Sequence, residues 1–167
     1  GKRNKLIIEL LYTTGIRRAE LIGLKVRDVD YQAMTIKVLG KRNKERIIPL
    51  LGATKELFLE YNLERSTLGV IQDEAYIFLT DKGNKMYETL VYRIINKYFS
   101  LVSAKVKKSP HILRHTFATH LLNKGADLNS VKELLGHSSL ASTQVYTHNS
   151  IAELKKVHFS AHPRSKK

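Results

Sequence analysis

Apolar residues cover most of the face that residues 4–13 (NKLIIELLYT) would present as a helix, which predicts a buried one. Thr14-Gly15 interrupts the pattern. Arg17 to Leu24 predicts a second, short helix that buries Leu21, Ile22 and Leu24. The period then changes. Met34, Ile36 and Val38 alternate with Thr35 and Lys37, as along a strand. Gly40-Lys41-Arg42-Asn43-Lys44 predicts a basic turn, Arg46-Ile47-Ile48 the returning strand, and Pro49 its end.

Residues 53–64 read as a helix of mixed charge, and Tyr76-Ile77-Phe78-Leu79 as a short strand before an Asp81-Lys82-Gly83 turn. Residues 88–102 predict a long helix with Leu90, Ile94, Ile95, Tyr98 and Phe99 on its apolar side. Ser109-Pro110 is an N-cap followed by a first-turn proline, opening a helix that runs to about Asn123 and stops at Gly125. Asp127 caps the next helix, which ends at Leu134-Leu135 with Gly136 in the C′ position. Two short helices are expected near 139–146 and 150–158. The fold class predicted is mainly α with a small antiparallel β-sheet (α+β), without a second domain.

Composition narrows the class. A chain of 167 residues suits one domain able to bury about 70% of its unfolded surface. Its 43% hydrophobic content is that of a folded globule, not of a basic tail. With no cysteine, a disulfide scaffold, a thiolate zinc site and a cysteine nucleophile are excluded. No uninterrupted apolar run approaches the roughly 18 residues of a membrane span. The chain opens on Gly1 without a signal-like segment, so a soluble cytoplasmic location is expected.

Charge names the kind of partner. The 29 Lys and Arg against 15 Asp and Glu leave a formal net charge of +14, which favours a polyanion, nucleic acid before anionic membrane. Between Glu88 and Asp127 there is no acid, while Arg93, Lys97, Lys105, Lys107, Lys108, Arg114 and Lys124 lie there. Lys37, Lys41, Arg42, Lys44 and Arg46 form a second cluster, opposed only by Glu45. Lys155, Lys156, Arg164, Lys166 and Lys167 form a third. Any one of these is ordinarily a solvated face. Three on one folded domain point to a surface that tracks a phosphate backbone.

The chemistry concentrates where the helix after Ser109 begins. His111 and Arg114 are three residues apart and share a face. Unpaired backbone N–H groups and the helix dipole favour an anion there. Leu113, Phe117 and Leu121 point the other way, into the core. His111 and His115 have the i, i+4 spacing of zinc ligands, but Ile112 stands where a metalloprotease helix has Glu, and no third ligand is evident. No metal site is expected. His115 and His120 read as structural groups.

Four segments together resemble a known family. Thr14-Gly15-Ile16-Arg17-Arg18-Ala19-Glu20-Leu21 is similar to the first arginine box of the tyrosine recombinases, or phage integrases. His111-Ile112-Leu113-Arg114-His115-Thr116 is similar to their H-x-x-R-H box. Leu134-Leu135-Gly136-His137, with Tyr146 nine residues on, resembles their L-G-H and nucleophile segment. Lys41 sits where the family keeps a catalytic lysine on a β-hairpin. The order and approximate spacing hold from Leu11 to Ser150, with the Xer-type recombinases and integrases of mobile elements as the nearest likeness.

The resemblance implies metal-independent DNA strand cleavage and rejoining, with no cofactor, through a 3′-phosphotyrosine and a free 5′-hydroxyl. It assigns Tyr146 as nucleophile and Lys41 as general acid to the leaving oxygen. Arg17 and Arg114 stabilise the non-bridging oxygens, His111 helps proton transfer, and His137 donates a hydrogen bond to the phosphate. Such roles suit the side chains: without a metal, cationic groups must supply the charge stabilisation, and guanidinium forks match phosphate. Arg18, Arg42, Lys44, Arg46, Lys105, Lys107 and Lys108 are expected DNA contacts. By charge alone Arg18 is equivalent to Arg17, and Glu20 reads equally as a buttress for Arg17 or a simple surface pair.

The implied partners are double-stranded DNA carrying an inverted-repeat site and a homo- or hetero-tetramer of recombinases on it, with no membrane and a nucleoid-associated location. Family members usually carry an N-terminal helical clamp domain. Only about sixteen residues precede Arg17, so an isolated catalytic domain is expected. Ile151, Leu154 and Val157 give residues 151–167 a helix and basic tail that docks on a neighbouring protomer or folds back on its own domain. A type IB topoisomerase-like nicking-closing enzyme and a non-catalytic DNA-binding module are the competing readings.

Overall fold

The computed structural model describes residues 1–126 and 128–135. The chain divides into two compact units, Gly1–Val91 and the unit that begins at Tyr92.

In the first unit, α1 (Lys2–Thr14) buries Leu6, Ile7, Ile8, Leu10, Leu11 and Tyr12. Burying each large aliphatic side chain contributes about 1.5–3 kcal/mol. The helix ends as its sequence dictates. Gly15 adopts φ 65°, a left-handed conformation that glycine takes without steric cost, and its N–H donates to Leu11 O at 3.2 Å. A short helix follows, α2 (Arg18–Ile22). Helix α3 (Gly52–Ser66) packs on α1 and buries Leu57, Phe58 and Tyr61.

Three antiparallel strands form the sheet in the order β1 (Val29–Asp30), β2 (Thr35–Leu39), β3 (Glu45–Pro49). The predicted alternation holds along β2, where Ile36 and Val38 are buried while Lys37 and Leu39 are exposed. The hairpin register sets Ile36 against Ile48 and Val38 against Arg46. Two details depart from expectation. Met34 is not a strand residue: its φ of 56° places it in the turn before β2. Strand β1 was not anticipated, and the Asp30 carboxylate turns the chain after it by accepting the Gln32 and Ala33 N–H groups at 3.0 and 2.9 Å.

The segment Tyr76–Leu79 also differs. It makes only isolated bridges, Lys25 to Tyr76 and Leu79 to Lys85. A helix side chain takes the place of a ladder there: the Tyr61 hydroxyl donates to Ile77 O at 2.9 Å and accepts from Leu79 N–H at 3.1 Å, and its ring stacks on Phe78. Gly83 closes the following turn at φ 81°, where a Cβ would lie 2.0 Å from Val70 O.

Helix α4 (Glu88–Val106) is four residues longer than the pattern predicted and buries Val91, Ile94, Ile95, Phe99 and Val102. Leu90 and Tyr98, assigned to its apolar side, are half-buried. In the second unit α5 (Pro110–Asn123) buries Leu113, Phe117 and Leu121 as expected, together with His120. It stops at Gly125, whose φ is 91°. Helix α6 (Leu128–Leu135) packs on α5 through the buried Val131. Asp127, Gly136 and the helices expected at 139–146 and 150–158 lie outside the described residues. No helix among the described residues is long and apolar enough to cross a membrane.

Candidate active site

Arg17 occupies the N-cap of α2 in an extended conformation (φ −74°, ψ 151°) and is half-buried. The turn that presents it is tightly held. Thr14 Oγ1 accepts from Ile16 N–H at 3.2 Å, and Ile16 itself is buried. The Arg17 backbone N–H donates to Glu20 Oε1 at 2.9 Å. A carboxylate at the third helical position thus satisfies one of the orphan donors of the helix start and complements its dipole.

The same Glu20 Oε1 accepts from Arg46 Nη2 at 3.1 Å. Its carboxylate is almost wholly buried, while Arg46 remains about half exposed. Glu20 therefore holds the backbone of Arg17 and ties the start of α2 to β3. Gly40, which precedes the Lys41 turn, completes this contact, since a Cβ there would sit 3.1 Å from Glu20 Oε2. The arginine segment and the lysine hairpin are joined through one buried carboxylate. Two readings were open for Glu20, and the structure bonds its carboxylate both to the Arg17 backbone and to the Arg46 guanidinium.

The hairpin turn is strongly bent. Gly40 N–H donates to Lys44 O at 2.8 Å, and Arg42 and Asn43 take φ values of 58° and 57°. Two successive non-glycine residues in the left-handed region are a strained arrangement, at a cost of order 1–3 kcal/mol each. Lys41, Arg42 and Lys44 are all exposed on it. Lys37 pairs with Glu45 at 3.2 Å, which leaves the acid of this cluster engaged at the strand ends. Arg18 is half-buried at the start of α2.

In the second unit the Ser109 side chain accepts from Ile112 N–H at 3.2 Å, and Pro110 takes the first turn, as the sequence predicts. His111 is exposed and Arg114 half-buried. The His111 and His115 rings touch, with centroids 4.1 Å apart and planes tilted by 55°. Burial, and then the neighbouring His111, push the His115 imidazole below the usual histidine range. Both disfavour the charged form of His115.

Arg114 points back onto α4. Its Nη2 donates to Asn96 Oδ1, and its guanidinium carbon lies 5.9 Å from the Phe99 ring centroid. Phe99 in turn meets Phe117 edge to face, 5.5 Å between centroids. Sequence reasoning placed Phe99 on the apolar side and missed Asn96, a lone polar residue with no spacing signal. Lys105 is exposed in the last turn of α4; in the connection to α5 Lys107 is exposed and Lys108 half-buried, and the Ser103 hydroxyl bonds Lys108 O. His137, Tyr146 and the tail 151–167 lie outside the described residues.

A mostly helical chain with a three-stranded antiparallel sheet, an arginine at a carboxylate-braced helix start and a capped His-Ile-Leu-Arg turn defines a class that can be matched. Residues 1–153 match the phage integrase family, and the chain belongs to it. A tyrosine recombinase XerC of Bacillus pumilus is 45% identical over 169 residues, covering 99% of this chain and 55% of that protein. One from Staphylococcus epidermidis is 46% identical over 167 residues, covering 100% and 56%. Among solved structures, XerA recombinase aligns with a TM-score of 0.60 at 32% identity, over 98% of this chain and 59% of that one. The XerH site-specific recombinase bound to its palindromic difH substrate, in a post-cleavage complex, aligns at 0.57 and 31% identity, over 95% and 45%. The chain spans about half the length of the curated relatives it matches.

Proposed function

We propose that the protein is a site-specific DNA recombinase that cleaves and rejoins strands without a metal, through a 3′-phosphotyrosine. The observation that carries this reading is the 45% identity, across 99% of the chain, to a protein named tyrosine recombinase. Residues 1–167 act as its catalytic domain, and residues 151–167 dock on a neighbouring protomer.

Each residue's work follows from its chemistry. The Tyr146 phenolate attacks the scissile phosphorus, the bond from phosphorus to the 5′-oxygen breaks, and Lys41 gives that oxygen its proton. Arg17 and Arg114 stabilise charge on the non-bridging oxygens, as preorganised cations do best in a site built before the substrate arrives. His111 takes the phenolic proton and His137 donates to the phosphate. The bond energy is kept in the phosphotyrosine, so the reverse attack by a 5′-hydroxyl needs no nucleotide. Arg18, Arg42, Lys44, Arg46, Lys105, Lys107 and Lys108 track the duplex backbone; Arg46 does so while bonded to Glu20, through its exposed half. The partners are an inverted-repeat DNA site, as the palindromic substrate of the XerH relative favours, and a tetramer of recombinases assembled on it. Such a protein works in the cytoplasm, on the nucleoid.

A suicide duplex with a bridging 5′-phosphorothiolate tests this, its site recovered by binding selection from host genomic fragments. In EDTA the protein should form a covalent adduct visible on a denaturing gel, and Tyr146→Phe should not. An adduct that persists in Tyr146→Phe, or that needs a divalent metal, overturns the reading. Adding a second site then separates strand exchange from nicking and closing.

A further inference from the structure

Arg114 holds its place through contacts that leave its charge intact. Among the described residues its one hydrogen-bond acceptor is Asn96 Oδ1, a neutral carbonyl, and the Phe99 ring lies beside the guanidinium at 5.9 Å. Asn96 and Phe99 are three apart on α4 and so project from one face, towards α5. Phe99 is buried and braced by Phe117, one turn beyond Arg114 on α5. The contact therefore ties α4 to the active turn of α5 on both its polar and apolar sides.

The identity of the acceptor matters. A carboxylate on the guanidinium would hold it as firmly, as Glu20 holds Arg46. It would also neutralise the charge that a phosphate must meet. The stretch between Glu88 and Asp127 contains no acid at all, and Asn supplies an oxygen acceptor without one. The amide fixes the plane of the fork, and the net positive charge stays available.

We infer that Asn96 is a positioning residue for Arg114, orienting its guanidinium towards the scissile phosphate through a neutral hydrogen bond. This rests on Arg114 acting at that phosphate. Asn96 touches no reacting atom; it acts through the arginine.

The test is a double-mutant cycle in the whole protein, read as the single-turnover cleavage rate on the phosphorothiolate duplex and as affinity for the uncleaved duplex. Asn96→Ala should slow cleavage about 10- to 100-fold, the scale of an ångström-sized misplacement, and leave duplex affinity within about twofold. Asn96→Asp should keep the thermal midpoint at or above that of the unsubstituted protein and still slow cleavage at least about tenfold, because its charge offsets that of the arginine. A purely structural acceptor would tolerate Asp. In an Arg114→Ala background, Asn96→Ala should add nothing. Cleavage at the unsubstituted rate by either Asn96 variant overturns the inference, as does an Asn96→Ala effect that multiplies onto Arg114→Ala. Full cleavage by Arg114→Ala alone overturns instead the role of Arg114, and the inference with it.

Discussion

A single carboxylate does two structural jobs in the first unit. Glu20 accepts from the Arg17 backbone and from Arg46, and it is buried while doing so. Glu20→Ala strands both donors and should cost about 1–3 kcal/mol in urea unfolding, with Glu20→Gln, which keeps one oxygen acceptor, recovering a good part of it. His115 gives a pH dependence of definite sign. Its imidazole titrates below the histidine of the unfolded chain, because burial and His111 disfavour its charge. Well above about pH 6.5 neither state is charged and the group is silent. Below that the unfolded chain takes up the proton first, so stability falls as pH falls through this window. Urea midpoints at pH 7.5 and 5.5 check this: the drop at the lower pH should shrink in His115→Gln. At this scale type and spacing marked out His111 and Arg114, the family resemblance chose Arg17 over Arg18, and Glu20 kept two readings. The sequence could not show the bond from Arg114 to Asn96 or the bond from Arg46 to Glu20, since each joins side chains of two different elements, 18 and 26 residues apart, and depends on how those elements pack.

Elements were legible where local chemistry decides them. The Ser109-Pro110 start and the Gly15 stop are set by a hydroxyl acceptor, a fixed φ and a left-handed glycine, all of which the residues themselves announce. Ser109→Ala should lower stability by about 1 kcal/mol, and Ser109→Asp should not, as measured by thermal or urea unfolding. Gly83→Ala should cost more than about 1 kcal/mol, because both φ and the Val70 carbonyl reject a side chain. The alternation around Met34–Val38 revealed β2 but not where it begins, because Met34 is turned by its neighbours. Tyr76–Leu79 has the composition of a strand, yet the Tyr61 hydroxyl meets its backbone groups and leaves only bridges. Which partner satisfies a strand-like segment is decided by packing, not by its own pattern.

Across the whole molecule, a net charge of +14 is far more than the three proposed catalytic cations, Arg17, Lys41 and Arg114, require. On the proposed function the excess tracks a duplex, so affinity for intact DNA should fall steeply with salt. With six or more phosphates neutralised, the loss between about 50 and 200 mM salt should reach about 10³-fold, measured by fluorescence anisotropy. A loss under tenfold would contradict a backbone-tracking surface. The central claim is narrower: one of the eight tyrosines is the nucleophile. Mass spectrometry of the digested covalent adduct, formed in EDTA on the suicide duplex, tests it most directly. A nucleotide-bearing peptide containing Tyr146 is the predicted result; a nucleotide carried on any other residue would contradict the account.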